Sequence, residues 1–408
     1  MITKMAFRNI ERNRKRTWLT ITAIAISVTL IIIAQGYMDG MMGGAMDNFI
    51  HFQAGNIKIL HREYTENQRL LPLNLAVSKE NEIEKNILSW PGIKAVSPRI
   101  VFGVILNVND KNEPCLGTAI DPVKEKDFNN MNKYVSKGEY INSGQKEMLV
   151  GSLLADKLGL KVGDQVTIVT KTVYDSIAFK TFKLKGILET GIAMIDKATF
   201  YIPLDITQQM LDMDDTATEI LVLLKDEKTL DRYMEKTTAY LNATDKDLSA
   251  ISYKKFGGFY ELAQSGKAAM YLVSLIMLLV SGLTITNTML MSVFERTKEV
   301  GMMKSMGMKN LKIIWLFVLE AIFMGVFAGI IGGILGGLVT SHFAKTGINF
   351  GKFIQNIGMP IKTVVYFDFS LKTIVFSCIF AIVVTVLSAF YPSIRTTKLL
   401  PTEAMKDR

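Results

Sequence analysis

Three groups of residues in this 408-residue chain have types and spacings that could do something specific. The first is Phe294-Glu295-Arg296-Thr297-Lys298-Glu299-Val300-Gly301-Met302-Met303-Lys304-Ser305-Met306-Gly307-Met308-Lys309-Asn310. Its pattern predicts a short helix, charged early, with Val300, Met303 and Met306 on one face. Gly307 can supply a left-handed cap, and Asn310 can N-cap whatever follows. Methionine is unbranched and polarizable, so an exposed methionine face adapts to a groove on another protein. The same face could instead lie on a lipid surface, and physics alone leaves both readings open.

The second group is Glu320 with Asn287. Each stands seven residues inside an apolar run, near one depth. An ionisable residue at membrane depth is costly and is a functional candidate by default. A Glu320–Asn287 contact, or a pair between Glu320 and a basic N-terminal residue, would join helices that move together. The alternative is that Glu320 snorkels to the nearby interface. The third group is Met38, Met41, Met42 and Met46 with Phe49 and Phe52. A flexible apolar surface there could accept an acyl chain or an apolar solute. The competing reading is helix–helix core.

Other chemistries lack their residues. No G-x-x-x-x-G-K-[ST] occurs, so the chain has no P-loop for ATP. His51, His61 and His342 are scattered, with no H-E-x-x-H, and no metal site is expected. There is no G-x-S-x-G or C-x-x-C, and no catalytic residue is assigned. Cys115 lies in a polar region and Cys378 in an apolar run, so no disulfide is expected.

Hydrophobic residues make up 49% of the chain and charged residues 21%. That is too apolar for an ordinary soluble protein and too charged for a chain that lies wholly in a membrane. Four runs are long enough to cross a hydrocarbon core of about 30 Å. The expected division is residues 1–17, a cytoplasmic N-terminal segment; 18–38, transmembrane helix 1; and 39–267, an extracytoplasmic domain with stalk helices. After these come 268–294, helix 2; 295–312, a cytoplasmic loop; 313–339, helix 3; 340–370, an outer loop; 371–391, helix 4; and 392–408, a cytoplasmic tail. The basic balance of +9 suits nucleic acid or anionic lipid. Its location decides: 15 of the 47 Lys and Arg fall in the 50 positions 1–17, 295–312 and 394–408. Positive charge stays on the cytoplasmic side, so these segments are placed inside, and nucleic acid is not needed. Trp18, Trp315 and Tyr391 mark the inner interface, and Tyr37 and Tyr271 the outer one. The first run is read as an uncleaved anchor, being longer than a signal-peptide core.

The region 39–267 alternates strand-like and helix-like segments. The strand-like ones are 56–60, 101–108, 165–172, 178–188, 199–202 and 219–224. The helix-like ones are 79–89, 152–158, 204–211 and 227–241. The fold class is therefore an α-helical membrane protein with four transmembrane helices and a large α+β extracytoplasmic domain, in two lobes, inserted between helices 1 and 2. In the third run Gly325, Gly329, Gly333 and Gly337 recur every four residues, with Gly332 and Gly336 offset by one. Such a row lets another helix approach closely, and Ser377, Ala381 and Thr385 of the fourth run offer a matching face.

Taken together, these residues resemble the MacB/Lol-type permeases of ABC transporters, in the FtsX-like superfamily. Three motifs carry the resemblance. The first is Ala6-Phe7-Arg8-Asn9-Ile10 with Arg14-Lys15-Arg16-Thr17. The second is Glu295-Arg296-Thr297-Lys298-Glu299-Val300-Gly301 with Gly307, similar to the family's E-R-x-x-E-I-G-x-x-x-A-x-G coupling loop, with Ser305 in place of the usual Ala. The third is Tyr391-Pro392 with Leu400-Pro401-Thr402-Glu403-Ala404-Met405.

The resemblance implies a permease half without its own ATPase site, so not itself an enzyme. ATP and Mg would sit on a separate cytoplasmic ABC ATPase dimer. That dimer would dock on Glu295, Arg296, Glu299, Val300, Gly301, Met302, Met303, Ser305, Met306 and Gly307. A second permease subunit, a copy or a paralogue, would complete the assembly in the bacterial inner membrane. The family works by mechanotransmission: ATPase closure moves the outer domain, and substrate is handled at the outer leaflet. Lipoprotein or lipid extraction is the branch favoured. Gly55-Asn56-Ile57-Lys58-Ile59 and Tyr201-Ile202-Pro203-Leu204 look like parts of such an outer domain. MacB-like efflux of drugs or peptides is the alternative, and a membrane-anchored sensor or scaffold the rival from another class. Some members also use a periplasmic lipoprotein chaperone, for which the 173–177 hairpin tip is a candidate.

Overall fold

The apolar runs are helices, and each extends beyond its apolar stretch. The computed structural model describes residues 2–12, 14–67, 70–108, 111–350 and 361–397. The closing motif at 400–405 lies outside them. One unit comprises Met1–Met41, Gln264–Ile348 and Tyr366–Arg408, and the other Met42–Ala263 and Asn349–Val365.

A short amphipathic helix α1 (Ile2–Arg12) precedes α2 (Arg14–Phe49). At 1.5 Å per residue α2 is about 54 Å long. It can include Gly40 only because that residue has no side chain. A methyl there would lie 2.0 Å from the Tyr366 carbonyl and 2.8 Å from the Asp368 amide. Beyond it Ile50–Ala54 forms a π-turn, closed by Gly55 N–H donating to Ile50 O at 2.8 Å.

The inserted domain then runs β1 (Ile57–His61), α3 (Glu80–Leu88), β2 (Ile93–Val108), β3 (Lys111–Ile120), α4 (Pro122–Asn129), β4 (Val135–Gly138), β5 (Glu147–Gly151), α5 (Ser152–Leu158), β6 (Gln165–Lys171), β7 (Ile177–Leu188), α6 (Ala193–Ala198), β8 (Thr199–Pro203), α7 (Leu204–Leu211), β9 (Glu219–Leu224), α8 (Leu230–Thr244) and β10 (Leu248–Ser252). The strands join in the order β10-β1-β9-β2-β3-β8-β5-β7-β4, and β6 bonds both β2 and β7. Two lobes result, and they share β2. Its first half pairs with β9 in a four-stranded antiparallel layer. Its second half closes a ring in which β2, β3, β8, β5, β7 and β6 each bond the next. Phe102, Val104 and Leu106 of β2 point into that ring, against Val166, Ile168, Phe182, Leu184, Phe200 and Ile202.

The first half of β2 is buried on both faces. It therefore carries an ion pair in its interior. Arg99 donates from Nε to Glu125 Oε1 at 2.7 Å and from Nη2 to Oε2 at 3.0 Å. Ser97 Oγ adds a bond to the same carboxylate at 2.5 Å. A second buried pair joins Lys58 to Glu219 at 2.7 Å. Burial holds the Lys58 amine below the usual lysine range, and Glu219 offsets part of that.

Glu80 is also buried. Gln208 donates to its Oε1 at 3.0 Å, and its Oε2 has no hydrogen bond among the described residues. Burial pushes its pKa up to about 7. A folded pKa above the unfolded value means that the fold favours the proton. The stabilisation is complete below the unfolded pKa and is lost as pH rises through about 7. Glu80→Gln should therefore stabilise the domain at pH 8 by about 2–3 kcal/mol and leave it unchanged at pH 4. Thermal melts at both pH values check this, and equal shifts at both would refute it.

The chain then continues as α9 (Phe259–Glu295), α10 (Thr297–Ser305), α11 (Asn310–Thr346) and α12 (Leu371–Thr397). Among the described residues, four helices are long and apolar enough to cross a membrane: Thr17–Ala54, Phe259–Glu295, Asn310–Thr346 and Leu371–Arg395. Between α11 and α12, the described residues 349–350 and 361–365 group with the inserted domain. Thr363 N–H and Oγ both donate to Gly191 O, at 2.8 and 3.0 Å.

The glycines of α11 face two helices. Gly325, Gly329, Gly333 and Gly337 lie against α12, where Thr385, Cys378 and Ile374 come closest. Cys378 and Ile374 thus take the place expected for Ser377. Gly332 and Gly336 lie against Ala25, Val28 and Ile32 of α2.

Candidate functional site

α10 is a short helix held between two long ones. Gly307, at φ +85°, ends it, and Met308 N–H returns to Met303 O at 3.0 Å. Lys309 precedes α11 and Asn310 is its first residue, so the expected Asn310 cap is not formed. Val300 is buried with Val293, Ile313 and Phe317, and Met303 and Met308 pack against them. Met302 and Met306 face outward, 55% and 73% exposed. This corrects the expected face: Met306 lies four residues from Met302 and opposite Val300. Glu295, Lys298, Ser305 and Gly307 share the exposed side.

Arg296 does not. It is 4% exposed, and Val300 and Gly301 are buried too, so these three leave the expected docking set. Arg296 Nη1 donates to Glu320 Oε2 at 3.3 Å, and Nη2 donates to Asn9 O at 3.3 Å. The Glu320–Asn287 pair is not formed: Asn287 is exposed and Glu320 is 5% exposed. Their depths match, but at 100° per residue Thr288, Ser292 and Arg296 stand on the inward stripe of α9 and Asn287 does not. A cavity of about 20 Å³ lies beside Arg296 and Glu320, lined by Thr17, Thr288, Met289, Ser292 and Met324. Two further bonds fix α10. Arg12 meets Glu299 at 2.5 Å, and Lys304 Nζ donates to Thr397 O at 2.6 Å. The result is an exposed methionine pair on a platform tied to α1, α11 and α12.

A larger cleft, about 360 Å³, lies among α2, α9 and α12. Met38, Met270, Tyr271 and Phe376 form its apolar walls, and Gln35, Asp39, Lys267, Lys372 and Thr373 its polar lining. Lys267 Nζ stands 3.8 Å from Asp39. Of the methionine cluster expected to touch substrate, Met38 lines this cleft. Met41 and Met46 are half-buried elsewhere, and Met42 is buried. Phe49 is core, with ring centroids 6.2 Å from Phe256 and 5.0 Å from Phe259. Lys267, Lys372 and Phe376 were not foreseen, although lysines at the ends of apolar runs are a signal for such a rim.

Residues 17–240 match the MacB-like periplasmic core domain, and residues 271–401 the FtsX-like permease C-terminal domain. Over 99% of its length the chain is 25% identical to an uncharacterized ABC transporter permease of Methanocaldococcus jannaschii, covering 97% of that protein. It is 20% identical to the lipoprotein-releasing system transmembrane protein LolC of Neisseria meningitidis, over 96% of this chain and 94% of that one. It is 23% identical to LolE of Haemophilus influenzae, over 79% and 80%. Among solved structures it is similar to the periplasmic region of MacB from Actinobacillus actinomycetemcomitans, with a TM-score of 0.39 and 13% identity, over 53% of this chain and 97% of that one. The core-domain model alone covers more than half of the chain and the permease model most of the remainder: the chain belongs to the FtsX-like permeases with a MacB-like periplasmic core domain and is an ABC transporter permease of the Lol/MacB type.

Proposed function

We infer that this permease draws lipidated cargo, a lipoprotein or a lipid, from the outer leaflet of the cytoplasmic membrane, powered by a separate ABC ATPase. The observation that carries this reading is the cleft among α2, α9 and α12. Its walls suit an acyl chain, and its Lys267, Lys372 and Asp39 suit a polar head. The names of two relatives as lipoprotein-releasing proteins favour release over efflux. The basic segments orient α10 to the cytoplasm. There Met302 and Met306 enter a groove on the ATPase, which holds the ATP and Mg. A second permease subunit completes the assembly, in the inner membrane if the cell is a Gram-negative bacterium. The β6–β7 hairpin exposes Tyr174, Ile177 and Phe179, a surface suited to a soluble carrier that receives the cargo.

The test is to express the chain with the ATPase encoded beside it and purify through a tag on this chain. An ATPase and an acylated protein, identified by mass spectrometry, are the expected companions. An ATPase without lipidated cargo would favour efflux, and no ATPase would favour a sensor or scaffold. Met302→Asp with Met306→Asp should cut ATPase recovery at least tenfold, because charges there must be desolvated in the groove. Undiminished recovery would remove these residues from the interface.

A further inference from the structure

Alternation along three strands gives the ring an outer face as well as an interior. Arg99 and Val101 of β2, Leu116 and Thr118 of β3, and Thr199 and Tyr201 of β8 are each two residues apart. They turn away from Phe102, Phe200 and Ile202, which fill the interior. The registers set Val101 beside Thr118 and Thr118 beside Tyr201, so one row crosses all three strands. This row floors a cavity of about 290 Å³ within the inserted domain. Gln53 of the π-turn, Met194 and Ala198 of α6, Lys58 of β1 and Phe256 beyond β10 wall it. The volume is near the lower end of small-molecule sites, about 300 Å³. None of its residues lines the cleft among α2, α9 and α12.

The lining selects a ligand chemistry. Thr118 and Tyr201 are 6% and 3% exposed, yet neither hydroxyl has a hydrogen-bond partner among the described residues. A buried hydroxyl without a partner is costly, and both of these line the cavity. The charges there are already matched: Lys58 is paired with Glu219, and Arg99 with Glu125. Lys58 Nζ also lies 4.0 Å from the Phe256 ring centroid. Burial pushes the Tyr201 phenol up, so it stays neutral and adds no charge. An ion entering this enclosure would shed its water and meet no free counter-ion. An amide brings its own N–H and C=O for Thr118, Tyr201 and Gln53, and Val101, Leu116, Met194 and Phe256 can cover an apolar body.

We propose that this cavity binds a free, uncharged amphipathic small molecule, its amide head on Thr118 and Tyr201 and its apolar body against Leu116 and Met194. Such a ligand touches both the ring strands and the four-stranded layer, so it fastens the two lobes to each other. The proposal concerns the inserted domain alone and depends neither on lipidated cargo nor on ATPase docking.

The test titrates the full-length protein in nanodiscs with three probes that share a phenyl body. N-acetylphenylalaninamide is uncharged, N-acetylphenylalanine is an anion and phenethylamine is a cation. Ligand-observed NMR should show saturable binding of the uncharged probe and at least tenfold weaker binding of both ions. Leu116→Trp, at the partly exposed rim, fills the cavity and should abolish that binding. Tyr201→Phe keeps the ring, removes the hydroxyl and should weaken binding about fivefold with the melting temperature unchanged, which decides the matter if Leu116→Trp folds poorly. No saturable binding would leave a water-filled crevice and overturn the proposal. So would an ion that binds as tightly as the amide, or binding unchanged in either variant, which would place the probe elsewhere on the protein or in the lipid.

Discussion

Glu125→Ala should lower the melting temperature of the inserted domain by about 10 °C. Glu125 accepts two bonds from Arg99 and one from Ser97, and both ions are almost wholly buried. Removing the carboxylate leaves the guanidinium hydrogen-bonded to Phe52 O, at 2.6 Å, and beside the Phe128 ring, at 5.3 Å, while the Glu219 carboxylate that also attracts it is already paired with Lys58. A buried charge stripped of its counter-ion costs about 3–5 kcal/mol. For a domain of this size each kcal/mol shifts the melting point by about 2–4 °C. Arg99→Met with Glu125→Leu should regain most of the loss, because no charge then remains to be paired. Lys171→Ala, which breaks the exposed Lys171–Asp175 pair, should stay within about 0.5 kcal/mol of the parent. Melting of the purified full-length protein in detergent measures all three. A Glu125→Ala protein that melts within 2 °C (about 1 kcal/mol) of the parent would refute the argument.

Gly332→Leu should be the most damaging single change in the helical unit. A methyl alone at Gly332 would lie 2.6 Å from the Ala25 carbonyl and 2.8 Å from Val28 Cβ. The nearest atom is backbone, so α2 and α11 must move apart. Overpacking costs about 1–3 kcal/mol for extra methylenes in a well-packed interior. Four added carbons should exceed that range and separate the helices. Gly337→Ala is milder, because the atom it meets, at 3.2 Å, is the flexible end of Ile374. Gly44→Ala meets nothing within 4 Å and should stabilise α2 by about 0.5–1 kcal/mol. Unfolding in graded SDS orders the three, and equal effects of Gly332→Leu and Gly44→Ala would contradict the packing.

The spans, the glycine rows and six strands were legible because each has a period that survives in one dimension. Val101–Val108 alternates cleanly, whereas Ile93–Ile100 does not. The latter is buried on both faces and holds Arg99, which reads as solvent-facing until Glu125 is placed beside it. β3 was missed because Pro114 and Gly117 interrupt it, and β5 because it is short, with Glu147 ahead of only three apolar side chains. Ring closure was beyond reach, since β3 pairs in parallel with a strand some 80 residues later. At the candidate site, depth along the helices was legible but direction around them was not. Counting residues put Asn287 level with Glu320, and only the angular position of α9 selects Arg296. Likewise, the spacing of the methionines on α10 did not show which of them turn inward.

β1 lies in the middle of its layer, between β9 and β10. Those neighbours are the last two strands of the domain to be synthesised. During translation β1 emerges with Ile57 and Ile59 uncovered, and it keeps one edge unpaired until about 160 more residues have followed and the other until about 190. The four-stranded layer cannot therefore assemble progressively behind the ribosome. It must close in a late step that brings together distant stretches of chain, which is slow in contact-order terms. A chain that stalls before Ser252 carries an apolar strand open for pairing with other chains. Cells producing this permease must shield that strand during export, and C-terminal truncations within the domain should be cleared by proteolysis rather than accumulate as stable fragments.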